Sequence, residues 1–296
     1  MRIVLAGGSG FLGRALRERL QHDGHAVTVL TRSPRGTPDE VAWTPDGKTG
    51  AWAAALAGAD AIVNLAGEGI ADKRWNDERK RALRDSRLLP TRSIIAALRQ
   101  SPSPAPVLVN ASAVGYYGAR GDERVTESTP PGSDFLAALC VEWEREADQA
   151  SATARVALVR TGLVLHPDGG ALGQMLLPFK LGAGGPMGSG AQYMPWIHLD
   201  DWVSLVVWLI ATSNARGAFN GTAPTPVTNR DFARALGRAL HRPALVPMPS
   251  FVLKVLLGEF AESLLTGQRA VPTRSEELGF EFRFRDLDAA LADLLP

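Results

Sequence analysis

Three glycines near the start, Gly7, Gly10 and Gly13, stand three residues apart, directly after the apolar run Arg2 to Ala6 and directly before a helical stretch, Arg14 to Gln21. Glycine at this spacing serves phosphate binding by steric permission. Gly7 allows a tight turn, Gly10 lets a pyrophosphate reach the backbone with no Cβ in the way, and Gly13 lets the helix lie close on the strand. Phe11, Leu12 and Gly13 would then present first-turn N–H groups, which have no partner within a helix, to the phosphates. A dinucleotide is the expected ligand. At about 20 residues beyond the glycines, where a carboxylate would bind the ribose 2′-hydroxyl, this chain carries Arg32. Thr31, Arg32 and Ser33, with Arg35 beside them, suit a 2′-phosphate through charge-assisted hydrogen bonds, so NADP(H) is expected over NAD(H).

Chemistry of this kind needs a scaffold that brings loops together, and the pattern of elements supplies one. Ala26 to Leu30 reads as a second strand after the turn signal Asp23-Gly24-His25. Asp60 to Gly67 reads as a buried strand ending in small residues. Its outgoing Leu65, Ala66 and Gly67 are expected beside the cofactor, because ligands of open α/β sheets lie at the carboxyl ends of the strands. Ala71 to Gln100 is largely helical with a basic outer face, of which Lys73 and Arg74 precede the helix proper. Val107 onward, and Ala154 to Leu165, read as further strands. The second of these brings Arg160, Thr161 and Gly162 to the sheet edge. Alternating strands and helices argue for an α/β fold with a doubly wound, mainly parallel sheet.

Gly7-x-x-Gly10-x-x-Gly13, Asn64-Leu-Ala-Gly67, Ala111-Ser-Ala-Val-Gly-Tyr-Tyr-Gly118 and Thr126-Glu127-x-x-Pro130 together resemble the extended short-chain dehydrogenase/reductases, the superfamily of sugar-nucleotide epimerases and dehydratases. Gly67 to Trp75, Asp134 to Glu144 and Trp196 to Asp201 look like its atypical, YfcH-like branch. The resemblance spans essentially the whole chain. It implies a Rossmann domain with a smaller C-terminal α+β substrate lobe, an NAD(P) cofactor, and a place for Arg160 near the nicotinamide and substrate.

One departure bears directly on activity. Members of the superfamily that catalyse use a Tyr-x-x-x-Lys pair, in which the Lys lowers the pKa of a phenol that moves the proton. Here the only tyrosines are Tyr116, Tyr117 and Tyr193, followed four residues later by Arg120, Gly121 and Ile197. The aligned positions fall near Phe135 and Leu139, and neither can move a proton. The substitutes are Ser112, where the superfamily carries Ser or Thr, and Tyr116 or Tyr117. Cys140 and Glu142, on the helix that elsewhere holds the Lys, are weaker candidates.

The remaining features bound the reading. The chain has 296 residues, 45% of them hydrophobic and 21% charged, a net charge of +1 and a single cysteine. This composition allows a large core, offers nothing to nucleic acid and excludes an internal disulfide. No apolar stretch is long enough to span a bilayer, and the short N-terminal run does not read as a signal peptide, so a cytoplasmic protein with no membrane partner is expected. His198, Asp200 and Asp201 read as a helix start, with Asp200 or Asp201 as N-cap, and no metal site is expected. Residues 1–162 with 196–221 are expected to form the dinucleotide-binding domain, and 163–195 with 222–296 the substrate lobe. A homodimer is compatible with all of this. The leading function is an NADP(H)-binding oxidoreductase or epimerase-like protein acting on a small carbonyl or alcohol; the competing one is a catalytically inactive NADPH sensor or regulator.

Overall fold

The structure, a computed structural model, describes residues 1–101 and 106–295. From the N-terminus, β1 (Arg2–Ala6), α1 (Phe11–His22), β2 (Ala26–Thr31) and β3 (Glu40–Ala42) lead to β4 (Ala61–Asn64), α2 (Asp77–Gln100) and β5 (Val107–Ala113). A short β6 (Arg124–Val125), α3 (Phe135–Asp148) and β7 (Arg155–Thr161) follow. The main sheet has the order β3-β2-β1-β4-β5-β7 and is closed at its far edge by the later strand Gly217–Gly221. Every pairing in it is parallel. The order reverses between β1 and β4, which opens a crevice at their carboxyl ends.

Side-chain alternation explains why both faces are covered. Ile3, Leu5, Val27, Val29, Ala61, Val63, Val109 and Val159 point into a core shared with Leu16 and Leu20 of α1. Their neighbours Val4, Ala6, Leu30, Ile62, Leu108 and Leu158 point the other way, onto Ile94, Ile95 and Leu98 of α2. With period-two side chains and apolar residues at both parities, these strands are stable only between two helical layers.

The stretch expected as one strand over Ala154 to Leu165 is two. Gly162 breaks it, because a Cβ there would lie 2.1 Å from the Pro195 carbonyl oxygen. Beyond it β8 (Leu163–Leu165) leaves the main sheet. After α4 (Gly170–Lys180) and β9 (Tyr193–Met194), the strand β10 (Trp196–His198) pairs in parallel with β8. Helix α5 (Leu199–Ala211) then covers the α1 side of the sheet with Trp202, Leu205, Val206 and Leu209, and β11 (Gly217–Gly221) joins β7.

The remainder comprises β12 (Val227–Thr228), α6 (Asn229–Ala239), α7 (Ser250–Leu257), α8 (Phe260–Leu265), β13 (Arg269–Ala270), α9 (Thr273–Glu277) and α10 (Leu287–Leu294). A separate core joins Leu172, Leu176 and Phe179 of α4 to Phe232 and Leu236 of α6 and Leu287 and Leu291 of α10. Phe280 to Phe284, which alternates like a strand, does not form one. Its aromatic rings are buried, but the N–H groups of Arg283 and Phe284 donate to the Asp201 carboxylate, each at 2.9 Å, instead of to a ladder.

Candidate functional site

Gly7 sits in the left-handed region at φ +83°, and a Cβ there would lie 2.8 Å from the Leu65 carbonyl carbon and oxygen. The strand end thus turns at the one residue type that fits both the dihedral and the contact with the β4 loop. Gly13 is packed just as closely: its Cβ would lie 2.2 Å from Gly7 O. Gly10 differs. Among the described residues, the one atom its Cβ would meet within 4 Å is Gly7 O, at 3.4 Å, and the residue faces an open cleft. Gly10 also precedes α1 as an N-cap without a side chain, and no acidic residue occupies the first turn of that helix. The first turn itself thus offers an anion neither a competing cap nor a repelling carboxylate.

The cleft has a volume of about 560 Å³. Its lining combines Gly7, Ser9 and Gly10 of the glycine turn, Thr31, Arg32, Ser33 and Arg35 at and beyond the end of β2, Leu65, Ala66, Gly67 and Glu68 beyond β4, and the carboxylates of Glu40 and Asp85. Trp43 and Pro45 line it too, as do Ser86, Leu89 and Pro90 of α2. Of the residues expected at a cofactor, Gly7, Gly10, Thr31, Arg32, Ser33, Leu65, Ala66 and Gly67 all line this space. Phe11, Leu12 and Gly13 stand at the start of α1 just behind it. Trp43, Pro45, Ser86 and Leu89 were not legible as site residues, since nothing in their local sequence places them beside the glycines.

A buried polar lattice fixes the β4 turn. Asn64 donates to Thr91 Oγ1 at 3.0 Å and to Asn110 Oδ1 at 2.7 Å, while its own Oδ1 accepts the Ala66 N–H at 3.2 Å. Trp143 donates to the same Thr91 hydroxyl at 3.0 Å. These groups sit where water cannot replace a lost partner, so they hold the small-residue turn in one conformation.

The candidates for proton transfer lie elsewhere, in a second buried network at the ends of β5 and β7. Ser112 Oγ donates to Glu144 Oε1 at 2.6 Å. Arg160 grips the same carboxylate at two points, Nε to Oε1 and Nη2 to Oε2, both 2.8 Å. Its Nη1 donates to the Tyr117 hydroxyl at 2.9 Å and to the Glu127 carbonyl at 3.1 Å. The Tyr117 hydroxyl in turn donates to Asn220 Oδ1 at 2.7 Å. Ser112, Tyr117 and Arg160 are therefore engaged with protein groups and sealed from solvent, at 3%, 0% and 4% exposure. Arg160, expected at the cofactor, does not line the cleft, because buried Glu144 takes its charge. Desolvation pushes the Tyr117 phenol up to about 12. Tyr116 is half-buried, and its ring lies flat against the Arg160 guanidinium, 3.4 Å from the centroid.

The weaker candidates are also accounted for. Burial pushes the Cys140 thiol up to about 12, so it is not a thiolate at neutral pH. Glu142 is paired with Arg84. Phe135, at the position expected for the phenol, packs edge-on against Trp75 at 5.2 Å. Lys73 is exposed, and Arg74 rests beside Gly258. The N-cap of α5 is His198 rather than either aspartate: its Nδ1 accepts the Asp200 N–H at 3.0 Å, and Asp201 is committed to the 283–284 backbone. Among the described residues no cluster of three or more His, Cys, Asp or Glu gathers as metal ligands would, and no helix is long and apolar enough to cross a membrane.

A smaller pocket of about 210 Å³ opens where the chain leaves β5 and β7, between Val114, Gly162 and Leu163 on one side and Met194, Ser263 and Leu264 on the other. Gln192 lines it too. The two hollows share the carboxyl edge of one sheet.

Comparison with known proteins places this geometry in a family. Residues 3–220 match the NAD dependent epimerase/dehydratase family, and residues 248–294 match a domain of unknown function, DUF1731. An epimerase family protein of Mycobacterium bovis is 44% identical over 98% of this chain and 96% of its own length. The crystal structure of the human epimerase family protein SDR39U1 with NADPH superposes with a TM-score of 0.92 at 37% identity, covering 100% of this chain and 99% of that one. A nucleoside-diphosphate sugar epimerase from Corynebacterium glutamicum follows at 0.81 and 35%, with this chain covering 58% of it. The glycine turn, the all-parallel sheet and these matches agree, and the chain belongs to the NAD dependent epimerase/dehydratase family.

Proposed function

We propose that the chain binds NADP(H) in the larger cleft and acts as an oxidoreductase or epimerase-like enzyme on a small carbonyl or alcohol held in the pocket beyond β5 and β7. The observation that carries the cofactor reading is Arg32. It lines the cleft from the end of β2 and, among the described residues, has no ion-pair partner, so its charge is free for a 2′-phosphate. The group fits: Gly10 leaves the cleft open where a larger residue would place a Cβ, and the human relative was crystallised with NADPH. Gly7, Gly10 and the N–H groups of Phe11, Leu12 and Gly13 would hold the pyrophosphate. Thr31, Arg32, Ser33 and Arg35 would hold the phosphorylated ribose, and Leu65, Ala66 and Gly67 would flank the middle of the molecule.

When bound, the nicotinamide supplies or accepts a hydride. On this reading Ser112, Glu144, Arg160 and Tyr117 are positioning residues: their hydrogen bonds are made to one another, and they set the Tyr116 ring against Arg160. Of the three candidate hydroxyls, only that of Tyr116 belongs to a residue that is not sealed. We assign it the proton-handling role, although Tyr116 lines neither hollow and would act from beyond Val114, two residues before it at the edge of the smaller one. We place the protein in the cytoplasm, where its single thiol would stay reduced.

A second reading, an NADPH-binding regulator without turnover, is favoured by one observation: Phe135 and Leu139 stand where the proton-handling pair would be. Loss of NADPH absorbance across a panel of neutral aldehydes and ketones separates the two. Turnover that is lost in Tyr116→Phe supports the enzyme. Tight NADPH binding with no turnover on any compound, unchanged in that variant, supports the regulator.

A further inference from the structure

The pocket between Leu163 and Leu264 has a composition that specifies its occupant. Among the described residues that line it, none carries a charge. Its aliphatic surface comes from Val114, Leu163, Met194 and Leu264. The cation Arg269 stands outside, exposed, over the Tyr193 ring at 5.3 Å. A nucleoside diphosphate sugar brings two phosphate charges, and desolvating them requires bidentate guanidinium or ammonium partners that this lining does not contain. Size argues the same way. The hollow of about 210 Å³ lies below the ~300–1,000 Å³ of pockets that take drug-sized ligands, which suits a small ring or short chain.

Among the described residues, one buried polar atom of the lining has no hydrogen-bond partner. Gln192 is 8% exposed, and its Nε2 donates to the Met187 carbonyl at 3.1 Å and the Leu264 carbonyl at 3.0 Å. Those two bonds fix which end of the amide is which, and Oε1 is left buried without a partner. A buried acceptor without a donor carries a desolvation cost that a ligand hydroxyl would remove. Gln268 and Thr266 of the lining are already committed, donating to the Gly118 carbonyl at 2.8 Å and the Glu262 carbonyl at 2.8 Å, while half-buried Ser263 and Tyr193 add hydroxyls to it.

We infer that this pocket binds a small, uncharged, mainly apolar alcohol whose hydroxyl donates to Gln192 Oε1, and that it does not bind a nucleoside diphosphate sugar. The inference rests on the proposed function only in identifying this pocket as the substrate site. Within an epimerase family it separates this chain from enzymes that act on nucleotide-linked sugars.

Saturation-transfer NMR on the full chain tests it, with cyclohexanol, cyclohexanone, UDP-glucose and UDP as probes. Cyclohexanol should bind, and cyclohexanone, which lacks the donor, should bind several-fold more weakly. Neither uridine nucleotide should bind in the pocket. Leu264→Trp, which fills the space from α8, should weaken cyclohexanol by about tenfold or more while leaving NADPH affinity, read by quenching of tryptophan fluorescence, unchanged. Gln192→Met should erase the preference for alcohol over ketone. Binding of UDP-glucose or UDP that disappears in Leu264→Trp would overturn the inference, and so would an absence of cyclohexanol binding. Cyclohexanol binding as predicted in a protein that fails to bind NADPH would leave the pocket assignment standing and defeat the cofactor reading instead.

Discussion

Arg160 and Glu144 face each other across β7 and α3 as a two-point ion pair with both contacts at 2.8 Å and side-chain exposures of 5% and 10%. Such a pair is costly to bury and costlier to halve. Glu144→Gln leaves a guanidinium desolvated without its counter-charge and is expected to cost about 3–5 kcal/mol in urea unfolding. The double variant Glu144→Leu with Arg160→Met should recover part of that loss. If the single variant costs less than about 1 kcal/mol, the pair does not organise this region.

Tyr117 ties that pair to β11 through Asn220. Its phenol should stay protonated in an ultraviolet titration until about pH 12. Tyr117→Phe leaves a buried Asn220 acceptor and an Arg160 donor short of a partner, for a loss of about 1–3 kcal/mol. A phenol that titrates at its ordinary value of 10.0 would show that water reaches the network.

The glycines divide by what crowds them. Gly13→Ala would force a Cβ to 2.2 Å from a carbonyl oxygen, and Gly7→Ala adds an unfavourable φ of +83°, so both should lower the melting temperature by several degrees. Gly10→Ala meets only the Gly7 oxygen at 3.4 Å and should leave stability nearly intact while weakening NADPH by about tenfold, because its methyl group enters the cleft. Equal effects of all three variants on stability would contradict the assignment.

His198 is 2% exposed and stacked on Phe284, and burial lowers its pKa below the ordinary 6.5 despite the nearby Asp200 and Asp293. A depressed folded pKa contributes stability that is present above 6.5 and is lost as pH falls through the folded value. Unfolding free energy should therefore decline on acidification below 6.5, by at most about 1.4 kcal/mol per pH unit from this group. His198→Asn keeps a capping side chain and should flatten that part of the profile. A slope unchanged in the variant would assign it to other groups.

The scaffold was more legible than the chemistry. Gly7, Gly10 and Gly13 placed the first strand, the turn and the helix, because the fingerprint is local and each glycine has one steric reason. Leu65 to Gly67 could be placed too, since a strand end in a parallel sheet has a fixed relation to the cleft. Ser112 and Arg160 stand out in the sequence, but their partnership does not: Glu144 lies 32 residues from the first and 16 from the second, and only the packing of α3 on the sheet joins them. Gly162 and Asp201 misled for the same reason. The break at Gly162 depends on the Pro195 carbonyl, and the role of Asp201 depends on backbone at Arg283 and Phe284, neither of which leaves a mark on neighbouring residues.

The central claim, that Arg32 marks an NADP(H) cleft, is tested most directly by titrating the protein and its Arg32→Ala variant with NADPH and with NADH, following tryptophan fluorescence. The wild-type chain should bind NADPH at least about tenfold more tightly than NADH, and the variant should lose that preference by weakening NADPH alone. Equal affinity of the wild-type chain for the two cofactors, or NADPH binding untouched by the substitution, would contradict it.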